Sequence, residues 1–117
     1  MKAILVVASL LVGLFVSSCT QQRQLRAETR AEAHRWVEAG ATLVDVRTPE
    51  EFAAGHLPGA LNIPVEELSG RLGELGSPEK HLVVYCRSGA RSSRAERLLK
   101  ERGFQNVLNL GPMSAWK

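Results

Sequence analysis

Several residue types that characterise particular protein classes are scarce in this sequence. It contains only two cysteines, Cys19 and Cys86, which excludes a disulfide-dense scaffold and any site of four thiolates. Its three histidines include no pair at helix-ligand spacing, so we expect no metal site. The excess of positive charge is small, with 15 basic residues against 12 acidic ones, and we expect no nucleic-acid partner. What remains is one small globular domain in a chain of 117 residues, 44% of them hydrophobic.

The N-terminus has the order of segments found in secretory signals. Met1 and Lys2 give a short positive start, residues 3–16 are almost entirely apolar, and Cys19 follows two serines. A membrane-spanning helix needs roughly 20 apolar residues, whereas a signal core needs about 7–15. We therefore expect residues 1–18 to be a signal peptide and the protein to be exported to the periplasmic side.

Three fates of Cys19 remain open. Residues 16–19 resemble a bacterial lipobox, in which the cysteine is acylated and becomes the mature N-terminus. An ordinary signal peptidase can also cut here, and an uncleaved anchor is disfavoured by the short apolar run. We adopt the lipoprotein interpretation, with Cys19 anchored in a membrane and residues 20–28 as a polar tether. Cys86 is then the only thiol of the mature chain, and no intramolecular disulfide can form.

From residue 29 the chain alternates helix and strand signals. Capping boxes at residues 29–32 and 48–51 place a threonine three residues before a glutamate, which predicts two helix starts. Residues 65–75 are weakly helical, and residues 90–102 are predicted as the longest helix. Apolar runs predict four strands, at residues 41–46, 60–63, 82–85 and 105–110. This alternation predicts an α/β fold with a parallel sheet covered by helices on both faces.

Cys86 follows the strongest predicted strand, 82–85, and precedes the longest predicted helix. Ligands of parallel α/β sheets bind at this carboxyl end of the strands. The intervening turn contains small residues whose amides can form an anion-binding nest: Ser88, Gly89 and Ala90. Together with the helix dipole, Arg87 and Arg91 favour a thiolate over a thiol. The pattern predicts a partly exposed nucleophile of low pKa, and these flanking features disfavour the alternative that Cys86 is an ordinary core residue.

The sequence resembles a single-domain rhodanese over residues 29–116. The resemblance depends on motifs that occur in the family's order: Asp45-Val46-Arg47, Glu51-Phe52 with Gly55-His56-Leu57-Pro58-Gly59-Ala60, Cys86-Arg87-Ser88-Gly89-Ala90-Arg91-Ser92, and the ending Leu110-Gly111 with Ala115-Trp116. It implies a rhodanese-like fold, with a five-stranded parallel sheet between helices, and a sulfurtransferase that carries sulfane sulfur as a cysteine persulfide. Pro112 departs from the pattern because many members have a second glycine there, which puts the last loop in doubt.

The resemblance also implies a role for each matching residue. Cys86 would be the nucleophile, and Arg87 and Arg91 would line the entrance and favour an anionic donor such as thiosulfate. The amides of residues 87–91 would cradle the transferred sulfur, while Asp45 and Arg47 would support that loop.

The expected reaction follows from thiolate chemistry. The thiolate attacks the outer sulfur of the donor, and an oxyanion such as sulfite leaves. The persulfide then passes its terminal sulfur to cyanide or to a thiol. This chemistry requires no metal and no organic cofactor, and we expect the protein to act as a monomer.

Other functions fit parts of the same pattern. A cysteine phosphatase needs five residues between its cysteine and arginine, whereas four separate Cys86 from Arg91. A thioredoxin-like oxidoreductase needs Cys-x-x-Cys, but residue 89 is glycine. A non-catalytic persulfide carrier that serves a partner protein would use the same residues, and this alternative stays open.

Overall fold

Four parallel strands form the central sheet. The computed structural model describes the backbone of residues 2–117 and the side chains of residues 18–117. The sheet has the order β2-β1-β3-β4, and its strands are β1 (Thr42–Asp45), β2 (Leu61–Asn62), β3 (His81–Cys86) and β4 (Asn106–Pro112). Every neighbouring pair is parallel. The predicted α/β class with a parallel sheet is confirmed.

Helices cover both faces of this sheet. The α-helices are α1 (Lys2–Glu38), α2 (Pro49–Ala54) and α3 (Ala90–Glu101). The weakly helical stretch 65–75 forms two short 3-10 helices instead, Leu68–Gly70 and Leu72–Leu75, and a third covers Met113–Trp116. The fifth strand expected from the family resemblance is absent from the described chain. Residues 2–38 are helical, and residues 65–75 form short 3-10 helices rather than the extended backbone that pairing in a sheet requires.

The side chains of β3 show why this strand is apolar throughout. Leu82, Val84 and Cys86 belong to one core cluster, whereas Val83 and Tyr85 belong to the cluster on the other face. All five are buried, as expected of a central strand covered on both sides. The alternation therefore directs Cys86 to the face that carries α3, and its neighbour Tyr85 to the opposite face.

Helix α1 is longer than the sequence predicts. Residues 20–28, predicted as a tether, are helical, and Thr29 lies inside the helix rather than at its start. The Thr29 hydroxyl donates to the carbonyl oxygen of Leu25 at 2.9 Å, a bond typical of threonine within a helix. The first predicted capping box is therefore wrong. Gln, Arg, Leu, Ala and Glu dominate this segment and favour helix even where no apolar period is present.

The predictions for the N-terminus are only partly accessible to the structure. The predicted signal peptide, residues 1–18, falls almost wholly outside the residues whose side chains are described. Cys19 is exposed on α1. Within the described residues, no helix combines the length and the apolarity that crossing a membrane requires.

The second predicted capping box is confirmed. The Thr48 hydroxyl accepts a hydrogen bond from the amide of Glu51, and the Glu51 carboxylate accepts one from the amide of Thr48, both at 3.2 Å. Proline at position 49 begins α2, where a missing N–H costs little. This cap fixes Glu51 at the start of a helix that faces the loop after β3.

Candidate functional site

Cys86 is the last residue of β3 and is followed by a tight turn into α3. The turn depends on Gly89, whose φ of +104° lies in the left-handed region that favours glycine. The sequence predicts a partly exposed thiol, but the structure buries the whole Cys86 residue, at 0% exposure. The cause is the alternation of β3, which turns this side chain into the core cluster beneath α3.

Two groups of the turn contact the sulfur directly. The amide of Gly89 donates to Cys86 Sγ at 2.9 Å, and the hydroxyl oxygen of Ser92 lies 3.4 Å from the same atom. That hydroxyl is also 3.1 Å from the carbonyl oxygen of Gly89, to which it donates. A thiol can donate its proton to Ser92, whereas a thiolate can receive the serine proton, so Ser92 suits both states of the sulfur.

The surroundings lower the pKa of Cys86 in spite of its burial. Burial raises the pKa because it disfavours the charged form. Hydrogen bonds from the Ser92 hydroxyl and from the amides of Ser92, Gly89 and Ser88 act in the opposite direction and outweigh it. The site therefore favours a thiolate through donated hydrogen bonds at the start of a helix.

The two loop arginines have different surroundings. Arg91 donates from both terminal nitrogens to the Glu51 carboxylate, at 2.7 and 3.0 Å, and this pair is only partly exposed. The bidentate contact lowers the pKa of Glu51 to about 2 and raises that of Arg91. Arg87 is exposed and belongs to no ion pair in the described part of the chain. The structure thus leaves Arg87 as the unpaired charge of the loop. An anionic donor at the entrance must compete with the Glu51 carboxylate for Arg91.

Asp45 and Arg47 form a buried polar cluster with Tyr85, called here the Asp45 cluster. The Arg47 side chain donates to both carboxylate oxygens of Asp45, at distances of 2.6 to 3.1 Å. The Tyr85 hydroxyl donates to the same carboxylate at 2.7 Å. Burial, ahead of the other causes, raises the pKa of Tyr85, so this hydroxyl remains a donor at all ordinary pH values.

The Asp45 cluster holds a different turn from the one expected. Arg47 donates to the carbonyl oxygen of Gly55 at 2.7 Å, and the amide of Leu57 donates to the Tyr85 hydroxyl at 3.1 Å. These bonds fasten residues 55–57 rather than the loop 87–91. The cluster is also joined to the reactive loop through the backbone of Tyr85, which directly precedes Cys86.

Sequence analysis overlooked two contributors to the site. Ser92 stands in the first turn of α3, where its hydroxyl reaches back to the sulfur of a residue six positions earlier. Beyond its place in the family motif, Glu51 is predicted only as a capping residue, yet its carboxylate also binds Arg91 across 40 residues of sequence. The cap itself was the available signal, because a carboxylate fixed at a helix start is well placed to pair with a neighbouring loop.

The remaining predicted features lie near this edge of the sheet. Pro112 pairs with Cys86 in the β3–β4 register. His56 Nδ1 lies 2.9 Å from the carbonyl oxygen of Phe52, on whose ring it stacks, which gives His56 a structural role in this turn. Among the described residues, no group of three His, Cys, Asp or Glu side chains is placed to hold a metal ion.

Comparison with known proteins places this arrangement in a family. The Rhodanese-like domain family matches residues 29–117. The Bacillus subtilis protein YqhL, whose own function is uncharacterized, is 33% identical over 117 residues, which cover 99% of this chain and 91% of the relative. The thiosulfate sulfurtransferase PspE of Escherichia coli is 39% identical over 70 residues, covering 58% of this chain and 66% of the relative.

Solved structures agree with this placement. The human single-domain sulfurtransferase TSTD1 superimposes with a TM-score of 0.63 and 34% sequence identity. The superposition covers 74% of this chain and 89% of the human one. At this identity the likeness extends beyond the general order of strands and helices.

Proposed function

This chain belongs to the Rhodanese-like domain family, and on that basis we propose that it transfers sulfane sulfur through a persulfide on Cys86. Sulfurtransferases among its relatives support sulfur transfer in general. The observation that carries the specific proposal is the pair of contacts on Cys86 Sγ, from the Gly89 amide and the Ser92 hydroxyl. Donors aimed at a thiolate at a helix start are what a nucleophilic cysteine needs.

The first half-reaction loads the enzyme with sulfur. The Cys86 thiolate attacks the outer sulfur of thiosulfate, a new S–S bond forms, and the S–S bond of the donor breaks. The electron pair of that bond leaves with sulfite. Arg87 is exposed at the loop and offers a positive charge to the anionic donor and to the departing sulfite.

Access to the sulfur requires movement of the loop. Cys86 is fully buried, whereas Arg87, Ser88 and Ala90 are exposed above it. An outward shift of this turn opens a path to the sulfur, and the amides of Ser88 and Gly89 then face the added sulfur atom. The negative charge of the persulfide is stabilised by the same donors that lower the pKa of the thiol.

The second half-reaction returns the enzyme to its thiolate. Cyanide or a thiolate acceptor attacks the terminal sulfur of the persulfide, and the electron pair of the broken S–S bond returns to Cys86 Sγ. A burial as complete as that of Cys86 also favours a second candidate function. In that function the persulfide is protected from small molecules and passed only to a partner protein.

Sulfur transfer from thiosulfate to cyanide by the full chain, purified in detergent, tests the proposal. We expect turnover and a mass gain of one sulfur after thiosulfate alone, with both lost in Cys86→Ser. Cys19→Ser is the matched control, because it removes the other thiol and should leave both signals unchanged. A mass gain without turnover would support the carrier, and neither signal from a folded, reduced protein would contradict both functions.

We also propose that the protein is an exported lipoprotein. Support comes from the apolar run 3–16, from the lipobox-like residues 16–19, and from the exposure of Cys19 on α1. The lipid would hold the domain at the periplasmic side of a membrane, and the absence of Asp after Cys19 favours the outer one. Intact mass of the membrane fraction should show a diacylglycerol-modified Cys19 as the N-terminal residue, absent in Cys19→Ser. A soluble product with an unmodified Cys19 would contradict lipidation.

A further inference from the structure

A cavity of about 530 Å³ lies between α1 and the edge of the sheet that carries Cys86. Its α1 wall includes Leu25, Arg26 and Arg30, and its opposite wall includes Ser88 and Pro112. Ser88 is two residues after Cys86, and Pro112 is paired with Cys86 across the sheet. The cavity therefore adjoins the loop that covers the reactive sulfur.

Packing farther along α1 fixes this wall in place. Ala33 is fully buried against the sheet. One helical turn from Arg30, the His34 ring stacks on Trp116 with centroids 3.7 Å apart, and His34 Nε2 lies 2.8 Å from the Trp116 carbonyl oxygen. The helical extension of α1 over residues 20–28, which the sequence does not predict, thus forms a defined side of the cavity.

The cavity is positively charged. Arg26 and Arg30 are its charged residues, no carboxylate lines it, and neither arginine joins an ion pair within the described residues. Arg30 Nε is buried and, among the side chains that the structure describes, is the polar atom left without a hydrogen-bond partner. Buried polar atoms in native proteins nearly always have partners, and no described carboxylate pairs with the Arg30 guanidinium. Because Arg30 lines the cavity, an anionic ligand bound there can supply the missing partner.

The size of the cavity indicates the class of ligand. Pockets for small organic molecules commonly measure roughly 300–1,000 Å³, and thiosulfate has too few atoms to fill 530 Å³. The lining is also partly apolar, and Leu25 is 55% exposed, the large hydrophobic side chain most open to solvent in the described chain. An organic molecule that carries carboxylates fits this combination better than an inorganic anion.

We propose that this cavity binds the sulfur acceptor, a small organic thiol held by its carboxylates at Arg26 and Arg30. The inference rests on the proposed sulfur transfer and adds a binding site to it. The thiolate of the acceptor attacks the terminal sulfur of the Cys86 persulfide, and an S–S bond forms in the product. The S–S bond of the enzyme persulfide breaks, and its electron pair returns to Cys86 Sγ. The product is the persulfide of the acceptor, and no oxidant or reductant is consumed.

Calorimetric binding to the full-length Cys86→Ser chain tests the site without any chemistry. The probe is S-methylglutathione, a peptide thioether with two carboxylates. We expect Arg26→Gln and Arg30→Gln each to weaken its binding by about tenfold, as loss of a charge-assisted hydrogen bond predicts. Arg23→Gln is the matched control, since it removes the same charge from an exposed position of α1 outside this cavity. Equal weakening by all three variants, or by none, would overturn the proposal.

Steady-state transfer from thiosulfate completes the test on chains that keep Cys86. With reduced glutathione as acceptor, the KM for glutathione should rise about tenfold in Arg26→Gln and Arg30→Gln, while transfer to cyanide stays unchanged. With glutathione diethyl ester, which has the same thiol but no carboxylates, the KM for the acceptor should be the same in all variants. Normal transfer to cyanide with no effect on glutathione would overturn the site alone. If the wild type formed no persulfide, the proposed function would be overturned instead. Calorimetry would still test whether the cavity binds the organic anion.

Discussion

The Asp45 cluster and the surroundings of Cys86 lie at the carboxyl end of the same sheet, and they differ in how completely their charges are paired. In the Asp45 cluster, the carboxylate of Asp45 is bound by Arg47 and Tyr85, and all three side chains are buried. At the reactive loop, Cys86 Sγ accepts a hydrogen bond from the Gly89 amide and contacts the Ser92 hydroxyl, and among the described residues no partner of opposite charge contacts it directly. Each group includes one residue of β3, because the adjacent residues Tyr85 and Cys86 point to opposite faces of the sheet.

This contrast indicates whether each group controls stability or reactivity. A closed set of charges and donors has no capacity left for a ligand, so its loss affects folding. A sulfur contacted by an amide and a hydroxyl, with no charged partner, can change its charge and its covalent state without leaving another buried charge unpaired. Substitutions in the Asp45 cluster should therefore change stability, and substitutions around Cys86 should change reactivity.

The largest expected effect is the loss of stability in Asp45→Asn. This change keeps the size of the side chain but leaves the buried Arg47 guanidinium without its negative partner. Breaking a buried ion pair in this way costs about 3–5 kcal/mol of unfolding free energy. Urea denaturation followed by circular dichroism measures it.

Two further variants define what the Asp45→Asn result means. Tyr85→Phe removes one hydroxyl from the same cluster and should cost about 1–2 kcal/mol. Glu50→Gln neutralises an exposed carboxylate on α2 and should leave stability nearly unchanged. A loss below 1 kcal/mol in Asp45→Asn would show that the cluster is not closed, since Arg47 would then have found water or another acceptor.

A smaller effect, confined to reactivity, is expected for Ser92→Ala. The variant removes the hydroxyl that lowers the pKa of Cys86, so the pKa rises and less thiolate is present below it. Alkylation by iodoacetamide at pH 6 should slow by roughly fivefold, equivalent to one ordinary hydrogen bond. The rate measured against pH should show a midpoint moved upward relative to the wild type.

Ser93→Ala provides the control for that experiment. Ser93 occupies the next position of α3, and its hydroxyl accepts from Asn109 rather than contacting the sulfur. Its alkylation profile should match the wild type. Identical profiles for Ser92→Ala and the wild type would show that backbone amides alone set the thiolate, and a stability loss equal to the reactivity loss would erase the contrast between the two groups.

The sequence predicts the helices and strands of the fold better than it predicts the side-chain contacts at the site. The strands around Cys86 and the start of α3 are predicted correctly because apolar runs and a glycine turn are local signals. The burial of Cys86 depends on the packing of the turn and α3 over the last residue of β3, which no local pattern states. Thr29 shows a related failure, since the same Thr-x-x-Glu spacing caps a helix at residue 48 but lies inside α1.

Long-range pairs explain the other differences. Glu51 and Arg91 are 40 positions apart, and each has a sufficient local explanation, as a cap and as a loop cation. Only the fold shows that they neutralise one another. The Asp45–Arg47 pair is local, yet it is attached to residues 55–57 both directly, through Arg47, and through Tyr85, which the sequence analysis treats as an ordinary strand residue.

The smallest expected effect concerns Glu51, whose carboxylate has a partner of opposite charge but is not fully buried. Its carboxylate pairs with Arg91 at a partly exposed position, so the pair is neither closed like the Asp45 cluster nor open like the sulfur. The bond to Arg91, ahead of the other causes, lowers the pKa of Glu51 to about 2. A lowered carboxyl pKa adds stability that is present above the ordinary value and is lost as the pH falls through about 2. Between pH 5 and 9 the pair is therefore intact, and Glu51 should add no pH dependence to the KM for thiosulfate.

Glu51→Gln should release Arg91 to the anionic donor. A glutamine at this position can still accept the cap from Thr48, but it no longer neutralises the guanidinium. The KM for thiosulfate should fall by about threefold, the size expected of a partly exposed charge, and the gain should shrink as salt screens it. Glu50→Gln makes the same change of charge one residue earlier and should alter KM much less, because Glu50 is exposed at the start of α2. An equal fall in both variants would assign the effect to net charge, and an unchanged KM in Glu51→Gln would leave Arg87 as the sole cation that the donor encounters.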